Sequence, residues 1–114
     1  MRCEPLDTLD LENWLKAAWS RETSSKWSLE NPAKGQCGVT ALVVQDLLGG
    51  DILTTQTTDG LHFYNFIDGT RWDFTSSQFD HAIGYDDLSS SRAEALADTN
   101  VAQYEALRSR VTPR

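Results

Sequence analysis

The chain has 114 residues, 39% of them hydrophobic and 10% aromatic. This is enough for one domain with a single hydrophobic core, so neither disorder nor a disulfide scaffold is needed to explain the composition. Acidic residues outnumber basic residues by 17 to 10, and the formal net charge is −7. A surface of that sign repels phosphate backbones and anionic lipids, so we expect neither nucleic-acid nor membrane partners.

Residues 1–14 lack the apolar run of a secretion signal, and no segment approaches the roughly 20 apolar residues of a transmembrane helix. Cys3 and Cys37 are therefore expected to be free thiols of a cytoplasmic protein. Two cysteines and two separated histidines offer no metal-ligand spacing, so we expect no metal ion and no cofactor. We expect a single domain over residues 1–114, in which residues 1–6 form a mobile tail.

The first predicted element is an amphipathic helix, because apolar residues recur there at intervals of three and four. The apolar stripe consists of Leu11, Trp14, Leu15, Ala18 and Trp19. Asp7 or Thr8 can cap the start of this helix. Residues 20–36 contain several turn-forming residues and are predicted to form a loop.

The segment from Cys37 to Leu48 is apolar on almost every side, and two glycines follow it. Such a segment is either a buried helix or a buried strand, and periodicity alone does not distinguish the two. Its length of about twelve residues and the glycines after it favour a buried helix with a glycine cap.

Three strands are predicted next, at residues 51–56, 61–67 and 70–75. Between the last two, Asp68 and Gly69 form the sequence signature of a two-residue hairpin turn.

Residues 89–111 are predicted to be helical again. The serines at 89–91 can cap a helix from Arg92 to Ala97. A second apolar stripe consists of Val101, Tyr104, Leu107 or Arg108, and Val111. The order of helix, buried helix, three-stranded antiparallel sheet and helices predicts an α+β fold.

Cys37 is a candidate nucleophile, because it lies in the first turn of the predicted buried helix. The unpaired N–H groups and the helix dipole at that position favour the thiolate, which is the nucleophilic form. The same N–H groups could stabilise the oxyanion of an acyl intermediate. The alternative interpretation is that Cys37 is a small buried hydrophobic residue, as most free cysteines are.

The predicted hairpin brings a histidine and a carboxylate together. The register of a two-residue turn pairs Ile67 with Thr70, Tyr64 with Asp73 and His62 with Thr75. His62 and Asp73 then lie diagonally opposite on one face of the sheet, roughly 5–8 Å apart at Cβ. Packing of the Cys37 helix on that same face would align a thiolate, an imidazole and a carboxylate.

In that arrangement Cys37 is the nucleophile, His62 accepts and returns its proton, and Asp73 orients and stabilises the imidazolium. Singly, His62 and Asp73 are explained as ordinary strand residues, but their shared face together with Cys37 favours a catalytic triad. Gln36 or Asn31 could supply a side-chain amide to the oxyanion, although loop asparagines more often form turns.

The strings NPAKGQCGVTALVVQDLLGGDIL and LHFYNFIDGTRWDFTSSQF resemble the YunG-like family of small bacterial proteins. The resemblance is close over residues 27–79 and looser in the helical tail. Its Gly-Gln-Cys, His and Asp-x-Thr-x-x-Gln-Phe elements match in type and order. This resemblance implies a fold more than an activity.

A cysteine on a helix, a histidine on a strand and an aspartate on the next strand are also similar to papain-like and transglutaminase-like enzymes. This distant resemblance implies a minimal papain-like core, with the Cys37 helix packed on the three-stranded sheet. Papain-like enzymes have an amide side chain six residues before the cysteine, where this chain has Asn31 in place of the usual glutamine. The 25 residues from Cys37 to His62 are a much shorter interval than in papain, so a general peptidase is not implied.

The leading expectation is hydrolysis or transfer at an amide bond of a peptide or protein, through a thioester on Cys37. The triad does not distinguish peptidase, amidase, deamidase and transglutaminase activities. One alternative is a catalytically inactive binding or regulatory module of the same fold. Another is redox sensing by Cys37 with Cys3 as the resolving thiol. The sequence predicts neither the substrate nor the oligomeric state.

Overall fold

One antiparallel sheet and four helices make up the computed structural model, which describes residues 8–111, with side chains from residue 10 onward. The helices are α1 (Thr8–Ala18), α2 (Cys37–Leu48), α3 (Arg92–Ala97) and α4 (Val101–Val111). The strands are β1 (Asp51–Thr57), β2 (Gly60–Ile67), β3 (Thr70–Trp72) and β4 (Leu88–Ser89), in the spatial order β3-β2-β1-β4. The α+β class is as predicted.

The apolar stripe of α1 faces the core. Leu11, Leu15 and Ala18 are buried, and so is Trp19 directly after the helix, whereas Trp14 is 38% exposed. The indole N–H of Trp19 donates a hydrogen bond to the hydroxyl of Thr40 at 3.0 Å, which ties the end of α1 to α2. The mobile tail predicted for residues 1–6 and a cap at Asp7 lie outside the described residues.

The second helix is the centre of the fold. It begins at Cys37 and ends at Leu48, as predicted, and Gly49 follows with a φ of 77°. Residues 37–44 are all buried, because α2 packs between the sheet and the pair α3 and α4.

The hairpin has the predicted register as far as β3 extends, but the predicted pairs of Tyr64 with Asp73 and of His62 with Thr75 lie beyond the paired residues. Asp68 and Gly69 have φ values of 51° and 79°, so both turn residues adopt the left-handed conformation that a type I′ turn requires. Ile67 pairs with Thr70, and Asn65 pairs with Trp72. The third strand ends at Trp72 rather than at residue 75, and a 3₁₀ helix at Ser76–Gln78 follows.

The predicted number of strands is wrong, because the sheet has a fourth strand. Leu88 and Ser89 pair with Thr54 and Leu53 on the free side of β1. A two-residue strand is too short to produce an alternating pattern, so the sequence had no periodic signal for β4.

The helix α2 packs on the sheet as predicted, but the predicted face is wrong. The helix lies on the face of Phe63, Asn65 and Ile67, where the Asn65 amide donates to the Ala41 carbonyl at 3.1 Å. His62 alternates with Phe63 and therefore belongs to the other face. The reason is physical: the apolar helix buries more apolar surface against Phe63 and Ile67 than against a polar face.

The segment 79–87 covers that other face. The Gly84 carbonyl accepts a hydrogen bond from the hydroxyl of Thr55 at 3.1 Å, and the Asp86 N–H donates to the same hydroxyl at 2.9 Å. The sheet therefore has buried residues on both faces, with a helix on one and an irregular segment on the other.

The C-terminal helices close the fold over α2. Ser91 caps α3, since its hydroxyl oxygen accepts the Glu94 N–H at 3.1 Å. Leu107 and Val111 of α4 are buried in the core, whereas Val101 is exposed. Over residues 8–111, no helix is both long and apolar enough to cross a membrane.

Candidate active site

His62 and Asp73 form a buried imidazole–carboxylate pair. Nε2 of His62 lies 2.7 Å from Oδ2 of Asp73, and the two side chains are 2% and 6% exposed. Because a carboxylate only accepts hydrogen bonds, Nε2 is the donor of this pair, and Nδ1 is the ring nitrogen that does not face Asp73. Strand β2 positions the imidazole and the end of β3 positions the carboxylate, so the hairpin turn sets their relation.

Neighbouring donors fix the orientation of the Asp73 carboxylate. The hydroxyl of Tyr85 donates to Oδ2 at 2.7 Å. The N–H and hydroxyl of Thr75 donate to Oδ1 at 3.2 and 3.3 Å. A carboxylate held by this many donors is a preorganised partner for an imidazolium on His62.

A second cluster holds the segment 79–87 against the sheet. Arg71 donates two hydrogen bonds to Asp87, at 2.9 and 2.6 Å, and its guanidinium lies 4.4 Å from the ring centroid of Tyr85. Tyr64 also donates to Asp87, at 2.9 Å. These donors, Arg71 first, lower the pKa of Asp87. The cluster keeps Tyr85 in place above Asp73.

A cleft of about 520 Å³ is lined by both Cys37 and His62. Gln78 and Phe79 line it from the segment after β3, and the Phe79 ring meets the His62 ring edge-on at 4.9 Å between centroids. The lysines and aspartates that line it are Lys26, Lys34, Asp59 and Asp98. The cleft therefore offers a polar site beside a thiol and an imidazole.

The thiol of Cys37 bonds a carboxylate. Its Sγ donates to Oδ2 of Asp98 at 3.6 Å. Burial, and after it the charge of Asp98, raises the pKa of Cys37 to about 12. The backbone N–H groups of Phe63 and Gly38 act in the opposite direction. The prediction that the helix start makes Cys37 a thiolate is therefore wrong for this arrangement, because desolvation outweighs the backbone dipoles.

Cys37 and His62 line the same cleft without a mutual hydrogen bond in the described part of the chain. Nδ1 of His62 instead has Gln78 Nε2 at 3.5 Å, a long contact. A proton transfer between them thus requires the thiol to turn from Asp98 toward His62.

The two predicted oxyanion residues lie elsewhere. Gln36 is fully buried, and its Oε1 accepts the hydroxyl of Thr23 at 2.8 Å. Asn31 donates its amide to the Gln78 carbonyl at 3.0 Å. Neither side chain is among the cleft-lining residues. Asn31 instead holds the turn that carries Gln78.

Three residues at the site were not predicted. Gln78 belongs to the Asp-x-Thr-x-x-Gln-Phe element, which was a usable signal. Tyr85 and Asp98 gave no such signal, since each reaches the site only through tertiary packing. No group of three or more His, Cys, Asp or Glu side chains within residues 10–111 is arranged to hold a metal ion.

Comparison with known proteins identifies the family. The family model described as YunG protein matches residues 7–114. A Bacillus subtilis (strain 168) protein described as "Uncharacterized protein YunG" is 55% identical over 94 residues, which cover 82% of this chain and 82% of that protein. No solved structure matches the chain at a significant level. The chain therefore belongs to the YunG family, as its Gly-Gln-Cys and Asp-x-Thr-x-x-Gln-Phe elements predicted.

Proposed function

We propose that this protein is a cysteine-dependent acyl hydrolase or acyl transferase that acts on amide bonds. Cys37 is the nucleophile, His62 the base and Asp73 the orienting carboxylate. The observation that carries the proposal is the buried pair of His62 and Asp73, 2.7 Å apart, beside a cleft that Cys37 also lines.

In the proposed chemistry the base is Nδ1 of His62, the ring nitrogen that does not face Asp73. Nδ1 takes the Sγ proton of Cys37, and the thiolate attacks the amide carbonyl carbon. The C–N bond then breaks, the imidazolium returns the proton to the leaving nitrogen, and a thioester remains. Water, or an amine in a transferase, attacks the thioester carbonyl carbon and loses a proton to Nδ1. The C–S bond then breaks, and the imidazolium returns that proton to the Cys37 thiolate. Asp73 stabilises the imidazolium in both halves.

The remaining parts of the proposal concern fold relationship and setting. The helix carrying Cys37 on an antiparallel sheet, with His62 and Asp73 at adjacent strands, fits a minimal papain-like core. Peptide or protein amides are the proposed substrates. We place the protein in the cytoplasm, because Cys37 is a free thiol and Cys3 is expected to be one.

A second candidate is a catalytically inactive binding module of the same fold. The observation that favours it is the hydrogen bond from Cys37 to Asp98, which leaves the thiol without a contact to His62. This candidate predicts a cleft that binds a ligand without forming a covalent bond to Sγ.

Turnover of p-nitrophenyl acetate, a small neutral acyl donor, tests the proposed function in a Cys3→Ser background. We expect one acetyl group on Cys37 by mass spectrometry, followed by its release. Because general-base catalysis contributes about 10² to 10⁴ in rate, His62→Ala should lower acetylation by at least about 100-fold, and Cys37→Ala should abolish it.

The other histidine supplies a matched control. His81 bonds Asp80 at the same distance of 2.7 Å, but both side chains are exposed. His81→Ala should leave acetylation unchanged. Equal acetylation of the His62→Ala and parent proteins, or none in the parent, would count against the enzyme and favour the binding module.

A further inference from the structure

The carboxyl group of Asp98 lies against the proposed nucleophile. Its Oδ2 accepts the Cys37 thiol at 3.6 Å, and the Gly38 N–H faces the same carboxylate. The first N–H groups of a helix have no partner within the helix. Asp98 therefore lies at the start of α2, beside N–H groups of the kind that stabilise an oxyanion.

Close packing builds this contact. A Cβ added to Gly38 would lie 2.6 Å from the Asp98 carboxylate and 2.8 Å from the Ala95 carbonyl oxygen. The Asp98 N–H in turn bonds Ala95 at the end of α3, at 3.1 Å. A glycine after Cys37 is thus what allows the end of α3 to bring a carboxylate to the thiol.

Other charges act on Asp98 from the surrounding elements. Burial is the largest influence and raises the pKa of Asp98 above its ordinary value, although the Cys37 thiol, the Gly38 N–H, Lys26 and His62 act to lower it. Lys34 and Asp59 are the remaining charged residues that line the cleft. Solvent exposure of Asp98 and the nearby Lys26 ammonium favour the ionised carboxylate, which partial burial of that group opposes.

We propose that Asp98 determines which acyl groups reach Cys37. It admits neutral or cationic carbonyl compounds whose N–H groups can replace Cys37 and Gly38 as donors, and it excludes compounds with a negative charge beside the carbonyl. Until such a compound displaces it, Asp98 holds the thiol in its protonated form. The inference rests on the proposed function for the acyl-transfer reaction. The charge selection itself concerns the access of any reagent to the Cys37 thiol, so it can be measured without turnover.

Alkylation by two reagents of similar size and different charge tests the inference in full-length protein with Cys3→Ser. The rate ratio of neutral iodoacetamide to anionic iodoacetate is compared with the ratio for free cysteine. Two like charges about 5 Å apart at a partly solvated site repel strongly enough to raise this ratio by about tenfold. Asp98→Asn should return the ratio to that of free cysteine, raise both rates and shift their onset to lower pH.

Asp59→Asn is the matched control, since Asp59 lines the same cleft without a contact to Sγ. That substitution should leave the ratio of the two rates unchanged. A parent ratio equal to that of free cysteine overturns the inference without any variant. An elevated ratio that persists in Asp98→Asn, or in Asp98→Ser should the first variant not fold, overturns it as well.

The two proposals fail in different ways. If His62→Ala alkylates as fast as its parent in the Asp98→Asn background, His62 does not activate the thiol and the proposed function is wrong. The charge selection by Asp98 would still stand in that case. If instead the parent protein shows no charge selection but its alkylation still depends on His62, the selection by Asp98 is wrong and the proposed function stands.

Discussion

His62 and His81 each lie 2.7 Å from an aspartate, yet the two pairs differ in what they can do. The side chains of His62 and Asp73 are 2% and 6% exposed, whereas those of His81 and Asp80 are 68% and 98% exposed. Water screens the exposed pair, so its two groups interact only weakly. Burial and the additional donors on Asp73, not the distance, distinguish the candidate catalytic pair.

Tyr85→Phe tests how Asp73 is held. It removes the donor at 2.7 Å from the carboxylate oxygen that also bonds His62. Because hydrogen bonds to charged groups contribute about 1.5–3 kcal/mol, we expect urea denaturation to show a loss of that size in the free energy of unfolding. Acetylation by p-nitrophenyl acetate should also slow, because the imidazole loses part of its support.

Tyr104→Phe is the control for Tyr85→Phe. Tyr104 donates to Asp46 on the surface of α2, where water can replace the lost partner. Its removal should cost under about 1 kcal/mol and leave acetylation unchanged. Equal effects of the two substitutions on both measurements would contradict a positioning role for Tyr85.

Individual site residues were predictable where local geometry sets them. His62 and Asp73 meet because a two-residue turn fixes the register, and Asp68-Gly69 is the sequence signature of that turn. Asp98 was not predictable, since it reaches Cys37 across 61 residues of sequence. Its position depends on the close approach of α3 to Gly38, and hydrophobic periodicity in the sequence does not predict such an approach.

At the scale of elements, the hairpin turn is the feature on which the site depends. Gly69 has a φ of 79° and nothing within 4 Å of an added Cβ. Gly69→Ala therefore changes backbone conformation without a steric clash, and we expect a loss of about 1–2 kcal/mol in the free energy of unfolding by urea. Acetylation should fall with it if the turn sets the distance from His62 to Asp73.

Gly84→Ala is the control for Gly69→Ala, because it replaces a glycine without changing the conformation of the hairpin turn. Gly84 also has open space at an added Cβ but lacks a positive φ. The substitution should be neutral or slightly stabilising, because it restricts the unfolded chain. A loss as large as that of Gly69→Ala would show that the turn conformation is not the cause.

The side of the sheet on which α2 packs was not predictable from alternation. A period of two shows that His62 and Phe63 belong to different faces, but it does not show which face meets the helix. Both residues are buried here, because the segment 79–87 covers the face that α2 leaves open. An irregular covering segment leaves no periodicity in the sequence, so a two-sided sheet was not expected.

For the molecule as a whole, folding raises the pKa values of several acidic side chains. Burial and a hydrogen bond to Asp87 raise the pKa of Tyr64 from 10.0 to about 12. Burial and a hydrogen bond to Asp73 raise the pKa of Tyr85 in the same direction. Burial and Asp98 raise the pKa of Cys37 from 9.0 to about 12. The unfolded chain loses these protons at lower pH than the folded chain does.

We therefore expect alkaline pH to lower the free energy of unfolding, because these tyrosines and Cys37 have raised pKa values in the folded state. A group whose pKa is raised on folding favours the unfolded state as pH rises above its unfolded value. The contribution of these groups should be constant below about pH 9 and decrease between about pH 9 and 12, because only the unfolded chain is deprotonated there. Urea denaturation at a series of pH values measures the resulting slope.

The slope, rather than the absolute stability, identifies the groups responsible. A Tyr64→Phe, Tyr85→Phe double variant loses two hydrogen bonds and is less stable at every pH, but its stability should fall less steeply above pH 10. Cys37→Ser should instead remove the part of the decline that begins near pH 9. An alkaline slope equal to that of the parent in both variants would mean that neither the phenols nor the thiol carry the effect, and that general repulsion within an acidic chain does.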